Sequence, residues 1–213
     1  MEEYHIKDTY LSDQQVLNKI WLEPKRVFRF LNDYRQDKYL VLLLVLFGIQ
    51  QALSRAESSF EDTRNPLPNI LINVFLGALF GWLGQYIYAL FIRLTGNMLG
   101  GKSDTRSILR VLAYSSIPVI CSLVFFIARY MMLGNDIFST DVSHLGLTAV
   151  TLNYLFIALQ TILAIWTIVL CVVGISEIQK FSILKAIANL LMPALVLLAF
   201  ALLLMLFSQA LTS

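Results

Sequence analysis

The run Gly96, Asn97, Met98, Leu99, Gly100, Gly101, Lys102, Ser103 satisfies GxxxxGK[ST], the pattern whose glycine amides cradle phosphates while the lysine reaches the terminal ones. That chemistry needs a buried strand before the loop, a helix after it, and an acidic residue on a further strand for magnesium. Here the flanks are apolar blocks of membrane-helix length, so the residues read as a tight cytoplasmic turn with Lys102 as a retention charge. Other constellations fail on counting. His5 and His144 fall on opposite sides of a membrane in the topology derived below and cannot share a metal. Cys121 and Cys171 lie in apolar runs without ligand spacing and read as small buried hydrophobes. Ser115 and Ser116 have no base partner. No span carries an Asp or Glu at its centre, where intramembrane hydrolases and proton-coupled carriers need an ionisable group. Asp136, Asp141 and His144 would make at most a weak outside cation site. The expectation is a non-enzyme with no catalytic residue, cofactor or metal.

The elements that carry these residues follow from composition. Of 213 residues, 58% are hydrophobic and 14% charged, against roughly 45–50% and about 25% in soluble domains. The formal net charge of +2 gives no bias toward nucleic acid. Apolar residues gather into five blocks, 39–55, 69–94, 108–132, 150–173 and 183–207, each near the roughly 20 residues that span a bilayer. An all-α polytopic bundle is therefore expected, with a polar segment over 1–38 and a five-helix membrane domain over 39–213. No short apolar centre of a cleavable signal occurs in the first 38 residues. Lys and Arg are retained on the cytoplasmic side of short loops, and with an inside N-terminus thirteen of the sixteen fall on that side. Only Arg55, Arg64 and Arg129 are assigned outside, the first loop also holding Glu57, Glu61 and Asp62. The C-terminus is then extracytoplasmic.

Between Pro24 and Arg35 the spacing predicts an amphipathic helix, with Lys25, Arg26 and Arg29 on one side and Val27, Phe28, Phe30, Leu31 and Tyr34 on the other. It would lie in the lipid interface or pack on the bundle. Within the spans, Asn73, Gln85, Asn153, Gln160 and Asn189 must bond across helices or line a wet cavity. Gly77, Gly81 and Gly84 predict close approach of another backbone, within the monomer or in a homo-oligomer. Pro118, after Tyr114, Ser115 and Ser116, should kink the third span, with nearby hydroxyls satisfying the freed carbonyl. Pro193 raises the same question for the fifth.

These residues together resemble the Yip family, the Ypt/Rab-interacting membrane proteins, in its short prokaryotic-type branch. The resemblance runs from about Ile20 onward. It is carried by Pro24 to Leu31, by Gly100, Gly101, Lys102 and Ser103, by Leu112 to Pro118, and by Val173 to Gln179. It implies a five-span domain with a cytoplasmic amino end, placed in the inner membrane of a prokaryote. Relatives in cells with internal membranes are associated with small GTPases and vesicle traffic; the Asp-Leu-Tyr-Gly-Pro signature of that branch does not occur in this chain. The leading expectation is a scaffold or adaptor working through its cytoplasmic face: Lys25, Arg26, Phe28, Arg29, Gly100, Gly101, Lys102, Glu177 and Lys180. Its partners would be membrane lipids, a protein or a second copy. The competing expectation is a transporter or channel for a small solute or ion, its path lined by Pro118, Asn153, Gln160 and Asn189.

Overall fold

The computed structural model describes residues 10–59, 67–138 and 145–212, and no strand occurs among them. His5, Lys7, Glu61, Asp62, Arg64, Asp141 and His144 lie outside the described residues. The short helix α1 (Asp13–Lys19) opens with a capping box, Ser12 Oγ accepting from the Gln15 amide and Ser12 N–H donating to Gln15 Oε1 at 3.0 Å. Pro24 then occupies the first turn of α2 (Pro24–Asp33), where its missing N–H costs nothing. The long elements are α3 (Leu40–Ser59), α4 (Leu67–Met98), α8 (Leu147–Gln179) and α9 (Ile183–Thr212). Between α4 and α8 come α5 (Thr105–Ser115), α6 (Ile117–Cys121), α7 (Leu123–Leu133) and a 3-10 turn at Gly134–Phe138.

Five helical stretches are long and apolar enough to cross a membrane: Leu40–Glu57, Ile70–Met98, Thr105–Phe138, Leu147–Gln179 and Ile183–Met205. These coincide with the five blocks expected from hydropathy, and the chain is an integral membrane protein of the all-α class. Leu71, Ile72, Phe75, Leu79 and Phe80 are exposed on α4, as suits a helix whose solvent is lipid.

The third span is interrupted where the sequence placed Pro118. The helix breaks at Ser116 and again at Ser122, with both hydroxyls donating back to their own helix at 2.6 Å, to Ala113 O and Val119 O. The Val119 amide, at the start of the next turn, donates to Thr167 Oγ1 at 3.2 Å. Pro193 behaves otherwise, for α9 runs through it unbroken. A helical proline frees the carbonyls of the preceding turn. Here Tyr88 Oη donates to Leu190 O at 2.8 Å, and Thr95 Oγ1 lies 3.5 Å from Asn189 O, the carbonyl that the missing Pro193 amide leaves free.

The chain divides into two compact units. One comprises 1–35, 86–109 and 172–213, the other 36–85 and 110–171. In the second, α3 and α4 meet through glycine. A Cβ on Gly48 would collide with the Gly77 carbonyl and lie 3.1 Å from Gly81 Cα. The close approach expected for Gly77 and Gly81 is therefore intramolecular, and Gly84 faces open space. Beside this seam, Ala56, Ile70, Leu133, Ile137 and Phe138 form a buried apolar cluster.

Because the obstacle at Gly48 is backbone rather than a movable side chain, Gly48→Ala should lower stability by about 1–3 kcal/mol. Gly84→Ala should leave it unchanged or slightly raised. Thermal unfolding of both variants in one detergent checks the contrast.

Candidate functional site

In the second unit a cation is buried inside the third span. Arg129 on α7 is 3% exposed. Its Nε donates to Asn153 Oδ1 at 2.8 Å, and its Nη1 to Glu57 Oε1 at 2.9 Å and to Gln160 Oε1 at 3.4 Å. An unpaired guanidinium in hydrocarbon would be prohibitively costly, and its partners come from two other spans, Glu57 from the first and Asn153 and Gln160 from the fourth. Of the residues expected to bond across helices or line a wet cavity, Asn153 and Gln160 bond to Arg129, and Gln160 also lines a cavity. Arg129 falls within the apolar block 108–132, and the structure keeps it within the membrane-spanning stretch, where its partners replace the water it would otherwise need. Arg110, counted with the cytoplasmic loop, is likewise buried, with Nε 2.6 Å from Asp37 Oδ1.

Next to this network is a cavity of about 280 Å³ whose polar lining includes Gln50, Ser54, Glu57, Ser122, Gln160 and Thr161. Gln50, Ser54 and Glu57 recur at helical spacing along α3, which puts them on one face. That stripe is present in the sequence, but its members sit near the end of the shortest apolar block, where polar residues are ordinary. A larger groove of about 850 Å³ along α3 and α4 is bordered by Gln51, Arg55, Asn73 and Gln85. Asn73 is exposed there, and Gln85 Oε1 is buried without a hydrogen bond. Tyr114 and Pro118 are fully buried in the third span.

The first unit holds the residues expected on the cytoplasmic face. Val27, Phe28, Phe30 and Leu31 are buried, Phe28 at 1% exposure, while Lys25, Arg26 and Arg29 are exposed. The amphipathic helix thus packs its apolar side on the protein. Tyr10, Phe30 and Tyr34 add edge-on and tilted ring contacts with centroids 4.9–5.7 Å apart. Glu177 Oε1 accepts from Arg29 Nε at 2.9 Å and from Lys180 Nζ at 3.0 Å, latching α2 to the end of α8. The Glu177 hydrogen bond and charge raise the proton affinity of the Arg29 guanidinium further above its usual value. Lys180 adopts φ +57° as the left-handed residue that closes α8, with the Phe181 amide returning to Ser176 O at 3.0 Å.

The phosphate-loop look-alike resolves into a helix end. The Gly101 amide donates to Gly96 O at 2.8 Å and Gly100 takes φ +90°. The Gln179 side chain lies against both Gly96 and Gly101. Ser103 Oγ donates to Ile178 O at 2.7 Å, so its hydroxyl is turned to the protein rather than to a ligand. Lys102 is exposed. Asn189, fully buried in this unit, accepts from Thr95 Oγ1 at 2.6 Å; it is not among the residues around Arg129. Among the described residues no three His, Cys, Asp or Glu side chains gather as metal ligands.

The family model described as the Yip1 domain matches residues 19–205. The chain belongs to that family. The comparisons with curated proteins and with solved structures gave no match. The Yip1 domain of this chain takes in both the buried Arg129 network and the Glu177 latch, and its matched residues begin at the last residue of α1.

Removing one partner of a buried ion pair is far costlier than removing both. Glu57→Gln should therefore lower stability by about 3 kcal/mol, and the double variant Glu57→Gln/Arg129→Met should regain most of that loss. A thermal-unfolding double-mutant cycle in detergent reads the outcome; equal losses in both would show that the pair is not coupled.

Proposed function

We propose that this Yip1-domain protein is a non-enzymatic membrane scaffold or adaptor that recruits a partner at its cytoplasmic face. The observation that carries the reading is the Glu177 latch, which fixes α2 as a rigid platform with Lys25, Arg26 and Arg29 outward and its aromatic side inward. A platform already ordered before binding avoids the entropy cost of ordering it on contact. The charge of the unit points the same way: its described residues hold ten Lys and Arg against five Asp and Glu. Such a surface suits an acidic protein face or anionic headgroups. The positive-inside bias supports placing it in the cytoplasm, with the C-terminus across the membrane. The prokaryotic inner membrane is the location proposed with it. Proteins of this family interact with Rab/Ypt proteins, and a small GTPase is accordingly one class of partner to test.

A second reading, a small-solute or ion transporter, is favoured by one observation, the polar cavity beside Arg129. Solute-dependent flux in proteoliposomes would support it.

For the scaffold, co-purification from solubilised membranes compares wild type with Arg26→Glu/Lys180→Glu. At least one partner should fall roughly tenfold, equivalent to about 1.4 kcal/mol, while Thr161→Val leaves it bound. Retention of every partner by the charge-reversed protein would overturn the reading.

A further inference from the structure

The cavity in the second unit has a chemical character that the buried ion pair alone does not require. Gln50 is 8% exposed and its Oε1 is buried without a hydrogen-bond partner. Its Nε2 donates to Ser54 Oγ at 3.3 Å, which leaves the Ser54 proton available. Ser122 and Thr161 donate to their own helices, to Val119 O at 2.6 Å and Ile157 O at 2.9 Å, so towards any ligand their oxygens act as acceptors. Within one lining there are thus acceptors at Gln50, Ser122 and Thr161, and donors at Ser54 and at the Gln160 amide nitrogen, whose oxygen already accepts from Arg129. Native proteins seldom leave a buried polar atom unpaired unless something else pairs with it.

Charge narrows the occupant. Glu57 lines the cavity, but one of its oxygens is already matched by Arg129 at 2.9 Å, and Arg129 is not among the lining residues. The pair is neutral in sum. A cation brought to Glu57 would meet the guanidinium behind it, and an anion would face the Glu57 carboxylate and the acceptors Gln50, Ser122 and Thr161. Neutral groups that both donate and accept fit without either penalty. A volume of about 280 Å³ is many times the roughly 10–15 Å³ that one water needs, and leaves room for a three-carbon polyol.

We propose that this cavity is a binding site for a small uncharged polyol, of the size and chemistry of glycerol. Its hydroxyls donate to Gln50 Oε1, Ser122 Oγ and Thr161 Oγ1 and accept from Ser54. The site stands apart from the scaffold reading; it deepens the transport alternative but does not depend on flux. The same hydroxyl chemistry exists in free glycerol and in the glycerol headgroup of phosphatidylglycerol.

The test is saturation-transfer NMR of glycerol with the full-length protein in phosphatidylcholine nanodiscs, with and without phosphatidylglycerol. Wild type should give a saturable glycerol signal. Gln50→Leu and Thr161→Val should each reduce it at least roughly fivefold, about 1 kcal/mol, with the melting temperature unchanged or raised in Gln50→Leu, because the orphaned amide is gone. Suppression by phosphatidylglycerol identifies the headgroup as the occupant, and an unaffected signal identifies the free polyol; both support the site. No saturable signal in either lipid, equal signals in both variants and wild type, or an equally strong variant-sensitive signal from methylammonium or acetate would overturn it. Thr161→Val is nearly isosteric, so it carries the test should Gln50→Leu misfold. Liposome flux is measured separately, so absence of transport and absence of binding are told apart.

Discussion

A permanent cation inside an apolar span dictates much of what surrounds it. The guanidinium of Arg129 cannot be neutralised by losing its proton, so the only alternatives are to reach water or to be surrounded by acceptors. The chain does the second, drawing Glu57 from the first span and Asn153 and Gln160 from the fourth. Each of these acceptors would itself be costly facing lipid, so the four groups are mutually obligatory. Beside them, Gln50, Ser54, Ser122 and Thr161 stand where leucine and valine would be expected, a polarity that the ion pair does not itself require.

The first unit solves a different problem, how to end helices at a water boundary while holding a surface helix in place. Two helix ends there use left-handed residues, Gly100 after α4 and Lys180 after α8. Gln179 reaches from one end to the other, its amide lying on the glycines while its Oε1 comes within 3.5 Å of the Ser103 amide. This explains why a phosphate-loop pattern arises without phosphate chemistry. The glycines make room for a glutamine, and the serine hydroxyl caps a backbone carbonyl.

The sequence made the five spans legible because hydropathy is summed over about twenty residues, so single misread positions barely matter. The break at Pro118 and the close approach at Gly77 and Gly81 were also legible, since both depend on backbone properties that a residue type carries with it. Asn153 and Gln160 could be recognised as needing partners, but not which partner. Arg129 lies inside the third apolar block, but where its head sits could not be read, since a long apolar stem lets it reach more than one depth. Pro193 differs from Pro118 in that α9 is continuous through it, with Tyr88 of a distant span donating to the neighbouring Leu190 O. Such a distant contact leaves no local signature.

The glycine seam between α3 and α4 has a mechanical meaning. Most helix pairs can slide or roll by small steps as side chains exchange rotamers, each step cushioned by flexible groups. Where Gly48 faces Gly77 and Gly81 there is nothing to exchange, for backbone rests on backbone. A slip by one residue would push the Phe47 ring or the Ala78 methyl into that space. These two helices therefore behave as a single keyed strut: they can tilt together as one body, or part altogether, but they have no gradual intermediate.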